Sequence, residues 1–209
     1  MNKKKLCLGT ANFLQKYGLK NNQNLSHKEI KKIISFCKKK SINFIDTAQN
    51  YGNSEKIIGK FGYSNQKIIT KINIKNYNLN NIDYIKKKLS IDINNTLINL
   101  NTKNIYAVLI HNIDFENLNL NKLNNLKKVF QYMIKRKLIL KYGFSIYYPD
   151  KINFFIKYFR PDIVQIPYSI FDRRFEKDNI LEKISKKNIE IHARSIFLQG
   201  VLLDKKIQV

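Results

Sequence analysis

Four residues of this 209-residue chain stand out for the chemistry they could do together: Asp46, Tyr51, Lys71 and His111. The first two lie in one stretch, Asn43-Phe44-Ile45-Asp46-Thr47-Ala48-Gln49-Asn50-Tyr51-Gly52-Asn53-Ser54-Glu55, which reads as a short buried strand, a polar loop and a helix start capped by Asn53 or Ser54. An acid at a strand tip with a phenol just before a helix suggests proton transfer. A phenol ordinarily titrates near pH ~10, too high for an efficient proton donor at neutral pH. A nearby ammonium favours the phenolate. Lys71 supplies the ammonium, Asp46 neutralises and orients it, and His111 positions or polarises a carbonyl oxygen beside Tyr51. Taken singly, Asp46 also reads as a turn residue, Lys71 as one more surface lysine and His111 as the close of a strand. The reaction suited to the set is protonation of an oxygen as negative charge develops on it.

These residues converge only if the elements carrying them are neighbours. Strands are expected at Lys5–Ala11, Ile42–Ile45, Lys67–Lys71, Ile105–Ile110, Leu140–Ser145, Asp162–Pro167 and Ile189–Ser195. Helices are expected between them. One over Leu25–Lys40 is capped by Ser26, with Ile30, Ile33, Ile34 and Cys37 on one face, and a short one covers Ser54–Lys60. A long helix follows with Ile82, Ile85, Leu89, Ile93, Leu97 and Leu100 aligned. Others cover Leu120–Arg136, the segment opened by Asp150, and Lys177–Lys187. Unbroken alternation with apolar strands requires parallel strands covered by helices. The expected fold is α/β: a parallel (β/α)8 TIM barrel lacking its eighth βα unit, since such barrels usually need ~250 residues. Residues 1–209 are expected to form a single barrel domain, incomplete at its C-terminus. In such a barrel all strand tips open on one face, which brings the four residues together.

Composition narrows the function classes. Hydrophobic residues make up 44% of the chain, enough for a globular core. No apolar run reaches the ~18–20 residues that span a bilayer, and the basic start has no apolar region after it, so neither a membrane partner nor a secretory signal is expected. Cys7 and Cys37 show no metal spacing and read as buried thiols in a reducing cytoplasm; no metal is expected. The net charge of +24 is spread over every helix face rather than drawn into a stripe. That is the imprint of a low-GC genome, and no specific nucleic-acid partner follows from it.

The sequence resembles the aldo-keto reductase superfamily from Leu8 to about Leu203. The carrying segments are Leu8-Gly9-Thr10-Ala11, Ile45-Asp46-Thr47-Ala48 with Tyr51-Gly52-Asn53-Ser54-Glu55, Thr70-Lys71, Ile110-His111-Asn112, Gly143-Phe144-Ser145, Val164-Gln165 and Arg194-Ser195-Ile196-Phe197-Leu198-Gln199-Gly200. The last is most similar to bacterial members found near surface-polysaccharide or sugar-nucleotide genes. The resemblance implies an NADPH-dependent reductase of aldehydes or ketones acting by hydride transfer. Tyr51 would be the general acid, Lys71 and Asp46 its tuning pair, and His111 the orienter of the carbonyl. Ser145 and Gln165 would hold the nicotinamide carboxamide, Gly9 and Thr10 would line the cofactor, and Ser195, Phe197 and Gly200 would pass near its pyrophosphate. Arg194 falls where many members place an aromatic ring against the nicotinamide, and Ile146 where many have Asn. The family's eighth strand and closing helix have no counterpart in these 209 residues.

The mouth residues Tyr17, Tyr147, Tyr148, Tyr168, Arg173 and Arg174 suit a small polar or anionic carbonyl substrate, such as a sugar derivative. Two other classes stay open. One is a non-catalytic or truncated barrel of the same kind, serving partner binding or redox sensing. The other is polyanion binding through the net charge, which would show steep salt dependence.

Overall fold

The computed structural model describes residues 6–14, 25–62, 66–111 and 118–203. Lys5, Tyr17 and Asn112, named above, lie outside the described residues. Among the described residues, seven parallel strands pair in chain order: β1 (Cys7–Gly9), β2 (Phe44–Asp46), β3 (Lys67–Asn73), β4 (Ile105–His111), β5 (Ile139–Ser145), β6 (Ile163–Pro167) and β7 (Glu190–Arg194). Between them run α1 (His27–Lys39), α2 (Ser54–Lys60), α3 (Ile82–Leu100), α4 (Leu120–Lys135), α5 (Ile152–Tyr158) and α6 (Ile180–Ser185). This is the (β/α)8 architecture without its eighth unit, and β1 and β7 are the edges of the curled sheet. Side chains reach across the lumen between distant strands: Gln165 on β6 meets Asp46 on β2, and Tyr106 on β4 meets Glu190 on β7.

The helices form where apolar periodicity and caps coincide. On α1, Ile30, Ile34 and Cys37 are buried, and Ser26 and Glu29 make the reciprocal capping box that satisfies two free N–H groups. On α4, Leu123, Leu126, Val129, Phe130 and Met133 all face the sheet. On α3, Ile85, Leu89, Ile93 and Leu100 are buried, whereas Ile82 at the first turn is 37% exposed. Gly59 is required where α2 closes on α3, since a Cβ there would stand 2.2 Å from the Asn99 carbonyl oxygen. That contact fixes the helix following the Tyr51 loop. Inside the strand ring, Phe44, Ile69, Tyr106, Ala107, Leu109 and Ile163 form a separate apolar floor beneath the strand tips.

Several expectations are corrected. Lys71 lies within β3, which runs two residues further to Asn73, and β2 extends to Asp46 itself. Asn53 holds the N-cap position of α2 but makes no side-chain cap bond, and Ser54 instead donates its hydroxyl to the Thr10 carbonyl at 3.3 Å. Asp150 does not open α5, which starts after Lys151 in left-handed backbone. The helix expected over Lys177–Lys187 is broken: Asp178 and Asn179 both take positive φ, as these residue types tolerate, and split a 3-10 segment (Arg174–Asn179) from α6. Cys37 is buried as expected, but Cys7 is exposed because β1 has a neighbour on one side only. Likewise Ile191 on β7 is 37% exposed, so β7 lacks the two-sided burial of β4. Among the described residues, no helix is long and apolar enough to cross a membrane, and no group of three His, Cys, Asp or Glu could hold a metal.

Candidate active site

The strand registers decide which tips meet. Gly9 pairs with Asp46 across β1 and β2, Asn73 with His111 across β3 and β4, and His111 with Ser145 across β4 and β5. Ser145 pairs in turn with Gln165, and Pro167 with Arg194. Inward side chains alternate along each strand, so Asp46, Lys71, Ser145, Gln165 and Arg194 gather at one end of the lumen.

Lys71 is the centre of this group. Only 1% exposed, its ammonium donates to Asp46 Oδ2 at 2.7 Å and to the Thr47 carbonyl at 2.9 Å, and stands 3.5 Å from Tyr51 Oη. Those three contacts match the three N–H donors of an ammonium. The charge also lies 4.9 Å from the centroid of the Tyr51 ring. Asp46 spends its second oxygen on Gln165, whose Nε2 donates to Oδ1 at 2.7 Å, while Ser145 donates its hydroxyl to Gln165 Oε1 at 3.0 Å. One chain of bonds therefore links Ser145, Gln165, Asp46, Lys71 and Tyr51.

His111 completes the set from β4. Its ring meets that of Tyr51 edge-on, with centroids 6.2 Å apart. Burial, and then the charges of Lys71 and Arg194, push its pKa down to about 4, so the imidazole is neutral at physiological pH. Its Nδ1 is buried and finds no hydrogen-bond partner among the described residues. A neutral ring beside a phenol can donate a hydrogen bond to a carbonyl oxygen without bringing a second cation.

A cavity of about 760 Å³ opens from this group toward the seam between β1 and β7. Of the residues expected to serve a cofactor or the reaction, Gly9, Asp46, Tyr51, Gln165, Arg194, Ser195, Phe197 and Gly200 line it. Thr10, Lys71, His111 and Ser145 do not: Thr10 is fully buried, with its hydroxyl on the Asp46 carbonyl at 3.1 Å. Gly200, at φ +94, has nothing within 4 Å of the position a Cβ would take, so its backbone faces open space. The residues present leave room for a nucleotide cofactor: Gln165 stands at the cavity wall with Ser145 bonded behind it, and the bare backbone at Gly9 and Gly200 leaves space for a bulky group.

Sequence reasoning missed two partnerships. Arg194 stacks its guanidinium on Tyr147, 4.0 Å from the ring centroid, and donates to the Ile146 carbonyl at 3.3 Å. Glu55, buried with no cation among its described partners, accepts from Thr70 at 2.7 Å, and burial raises its pKa. The Ser-Glu pair of the recognised motif was visible, but nothing local signals that Glu55 turns inward to β3. Arg173 and Arg174, expected at the mouth, are each tied to a carboxylate, Glu176 at 2.6 Å and Asp172 at 2.7 Å.

Comparison with known proteins agrees with this fold. The sequence profile of the aldo/keto reductase family matches residues 5–208. No curated protein sequence matches. Among solved structures, the holo form of the aldo-keto reductase AKR11C1 from Bacillus halodurans superposes with a TM-score of 0.76 at 19% identity, covering 98% of this chain and 66% of that one. The glycerol dehydrogenase AKR11B4 from Gluconobacter oxydans gives 0.74 at 21% identity, covering 100% and 69%. A thermostable aldo-keto reductase, Tm1743, in complex with the inhibitor epalrestat gives 0.73 at 24%, covering 95% and 70%. At such identities these structures establish the shared fold, and the profile match over nearly the whole sequence establishes the family: this chain belongs to the aldo/keto reductases.

Proposed function

We propose that the protein reduces an aldehyde or ketone to an alcohol, with NADPH as hydride donor and Tyr51 as general acid. The observation that carries this reading is the Lys71 ammonium held between Asp46 Oδ2 and Tyr51 Oη at 2.7 and 3.5 Å. An ammonium at that position stabilises negative charge on the phenol oxygen, so Tyr51 gives up its proton at lower cost than a free phenol. Asp46 keeps the ammonium aimed and balances its charge where Lys71 itself is only 1% exposed. His111 orients the carbonyl oxygen toward Tyr51 and stays neutral, so developing alkoxide charge is met by hydrogen bonds from two sides.

The cofactor, when bound, supplies the hydride, and the protein supplies position and electrostatics. Gln165, with Ser145 bonded behind it, would face its carboxamide, Gly9 would border it, and Ser195, Phe197 and Gly200 would follow it along the cavity. The choice of NADPH over NADH rests on the family resemblance. The chain spans 66–70% of the length of the three structures compared, so an activity of this kind is proposed for these residues rather than carried over from them.

The test is a titration of the 209-residue protein with NADPH and NADH, followed by nicotinamide fluorescence at physiological salt, beside turnover of simple aldehydes by wild type and Tyr51→Phe. Saturable NADPH binding with turnover lost in Tyr51→Phe is the expected result. A folded protein that binds neither nucleotide would favour the non-catalytic barrel reading instead, with the β1–β7 seam as its exposed edge.

A further inference from the structure

Among the described residues, the cations around the candidate site are nearly all neutralised. Lys71 is paired with Asp46, Arg173 with Glu176, and Arg174 with Asp172. Arg194 is the exception. It lines the cavity beside Gln165 and Ser195, yet no carboxylate among the described residues pairs with it. Its acceptors among the described residues are the Ile146 carbonyl at 3.3 Å and the Ser195 hydroxyl at 3.5 Å. Both bonds are long, and each uses one N–H of the five that a guanidinium carries.

The group is nevertheless well placed. Tyr147 covers one face of the guanidinium at 4.0 Å, and Arg174 in turn donates to the Tyr147 carbonyl at 3.3 Å, which braces that loop. A partly buried, braced and unneutralised guanidinium with free edge donors is built to take a planar anion in a two-point contact. Stacking occupies the face, while the donors lie in the plane, so the two contacts do not compete. The charge reaches the reaction end of the site, because it is one of those that depress the pKa of His111.

We propose that Arg194 is a specificity-determining residue that anchors a carboxylate on the substrate, and that the carbonyl compound reduced is therefore an oxo acid rather than a neutral aldehyde or sugar. The inference rests on the reductase reading for the carbonyl, and on the geometry of Arg194 alone for the carboxylate. Basic residues at the rim do not offer the same contact, since Arg173 and Arg174 already hold carboxylates of the chain itself.

Two measurements on the full chain test it. In the first, wild type, Arg194→Met and Arg194→Lys are assayed with NADPH and either 4-oxobutanoate or its methyl ester, which differ chiefly in charge. Wild type should prefer the acid in kcat/KM by about 10- to 100-fold, the range of a charge-assisted two-point contact. The preference should vanish in Arg194→Met and survive in part in Arg194→Lys, appearing mostly in KM. An equal or reversed preference in wild type, or its persistence in Arg194→Met, overturns the proposal.

The second measurement follows the Arg194 Nε–H resonance of wild type without cofactor, identified by its absence in Arg194→Lys. A saturable shift with 4-hydroxybutanoate and a weaker one with inorganic pyrophosphate supports a substrate carboxylate. A shift with pyrophosphate as strong or stronger, or no shift with either, overturns it, the former assigning Arg194 to cofactor phosphates or to nonspecific attraction. A carboxylate shift in a protein that turns over neither compound leaves the anion site standing and removes the reductase reading.

Discussion

Gln165 Nε2 donates to Asp46 Oδ1 at 2.7 Å, joining strands 119 residues apart in sequence across the lumen. With the other Asp46 oxygen on Lys71, the carboxylate is held from two directions, and the ammonium it orients has little freedom to leave Tyr51. The residue proposed to hold a carboxamide is thus also a strut for the proposed proton-donating group.

This strut makes Gln165→Glu informative. It would set a second carboxyl group about a hydrogen bond's length from Asp46, and two such groups cannot both ionise cheaply. The new glutamate should then keep its proton in the folded state well above its ordinary pKa of ~4.3, its hydroxyl replacing the lost amide donor. A folded-state pKa raised above the unfolded one contributes stability that is present at low pH and is lost as pH rises through the folded value. Urea melts of Gln165→Glu should approach wild type near pH 5 and fall short of it at pH 7.5. A constant difference across that range would show that the two carboxyls do not meet.

Tyr51→Phe removes a hydroxyl while leaving the ring against Lys71 and His111. Loss of a general acid typically costs ~10²–10⁴ in rate. The expected outcome is a fall in kcat of that size, with nucleotide affinity unchanged within about twofold in the fluorescence titration, since binding does not use the proton.

Lys71→Met should be the most destabilising change in the site. Lys71 is 1% exposed, and its removal strands the Asp46 charge against Gln165 alone. Breaking one side of a buried ion pair costs roughly 3–5 kcal/mol, whereas replacing both sides with apolar groups is often close to neutral. Denaturant melts should therefore show Lys71→Met less stable than the double variant Lys71→Met/Asp46→Leu. Both should be inactive, which separates the stability of the pair from its proposed role.

Much of the fold was legible because its signals are local. The period of apolar residues on α4 and the box of Ser26 and Glu29 on α1 depend on neighbours three or four positions away. The gathering of Asp46, Lys71 and His111 was legible for a different reason: parallel strands with helical crossovers leave their tips on one face. What could not be read were the long-range partners. No local pattern tells that Gln165 bonds Asp46, that Arg194 stacks on Tyr147, or that Cys7 lies exposed at an edge. The break at Asp178 and Asn179 needs two consecutive residues in left-handed backbone, which these types tolerate but no local pattern demands.

Gly143 on β5 offers a test of the scaffold apart from the chemistry. A Cβ there would stand 1.8 Å from the Ile163 carbonyl oxygen and 3.2 Å from a Leu109 methyl, so β5 and β6 must separate to admit one. Gly143→Ala should cost roughly 3 kcal/mol, near the top of the usual overpacking range. Because Ser145 and Gln165 sit just beyond on the same two strands, it should also weaken their bond and lower nucleotide affinity.

His111 gives a pH signature with a defined sign. Its pKa is about 4 in the folded protein, against ~6.5 for a free imidazole. Between those values the unfolded chain takes up a proton that the folded one refuses, so acid favours unfolding. Stability is fully present above about pH 6.5, declines as pH falls toward 4, and below that changes no further on account of this group. The whole effect amounts to roughly 3 kcal/mol, at ~1.4 kcal/mol for each unit of difference. Melts of wild type and His111→Asn between pH 7.5 and 4 should show a steeper decline in wild type, the two curves converging toward the acid end. Parallel curves would mean that the imidazole charges freely where it stands, and that burial and the Lys71 and Arg194 cations do not keep it neutral.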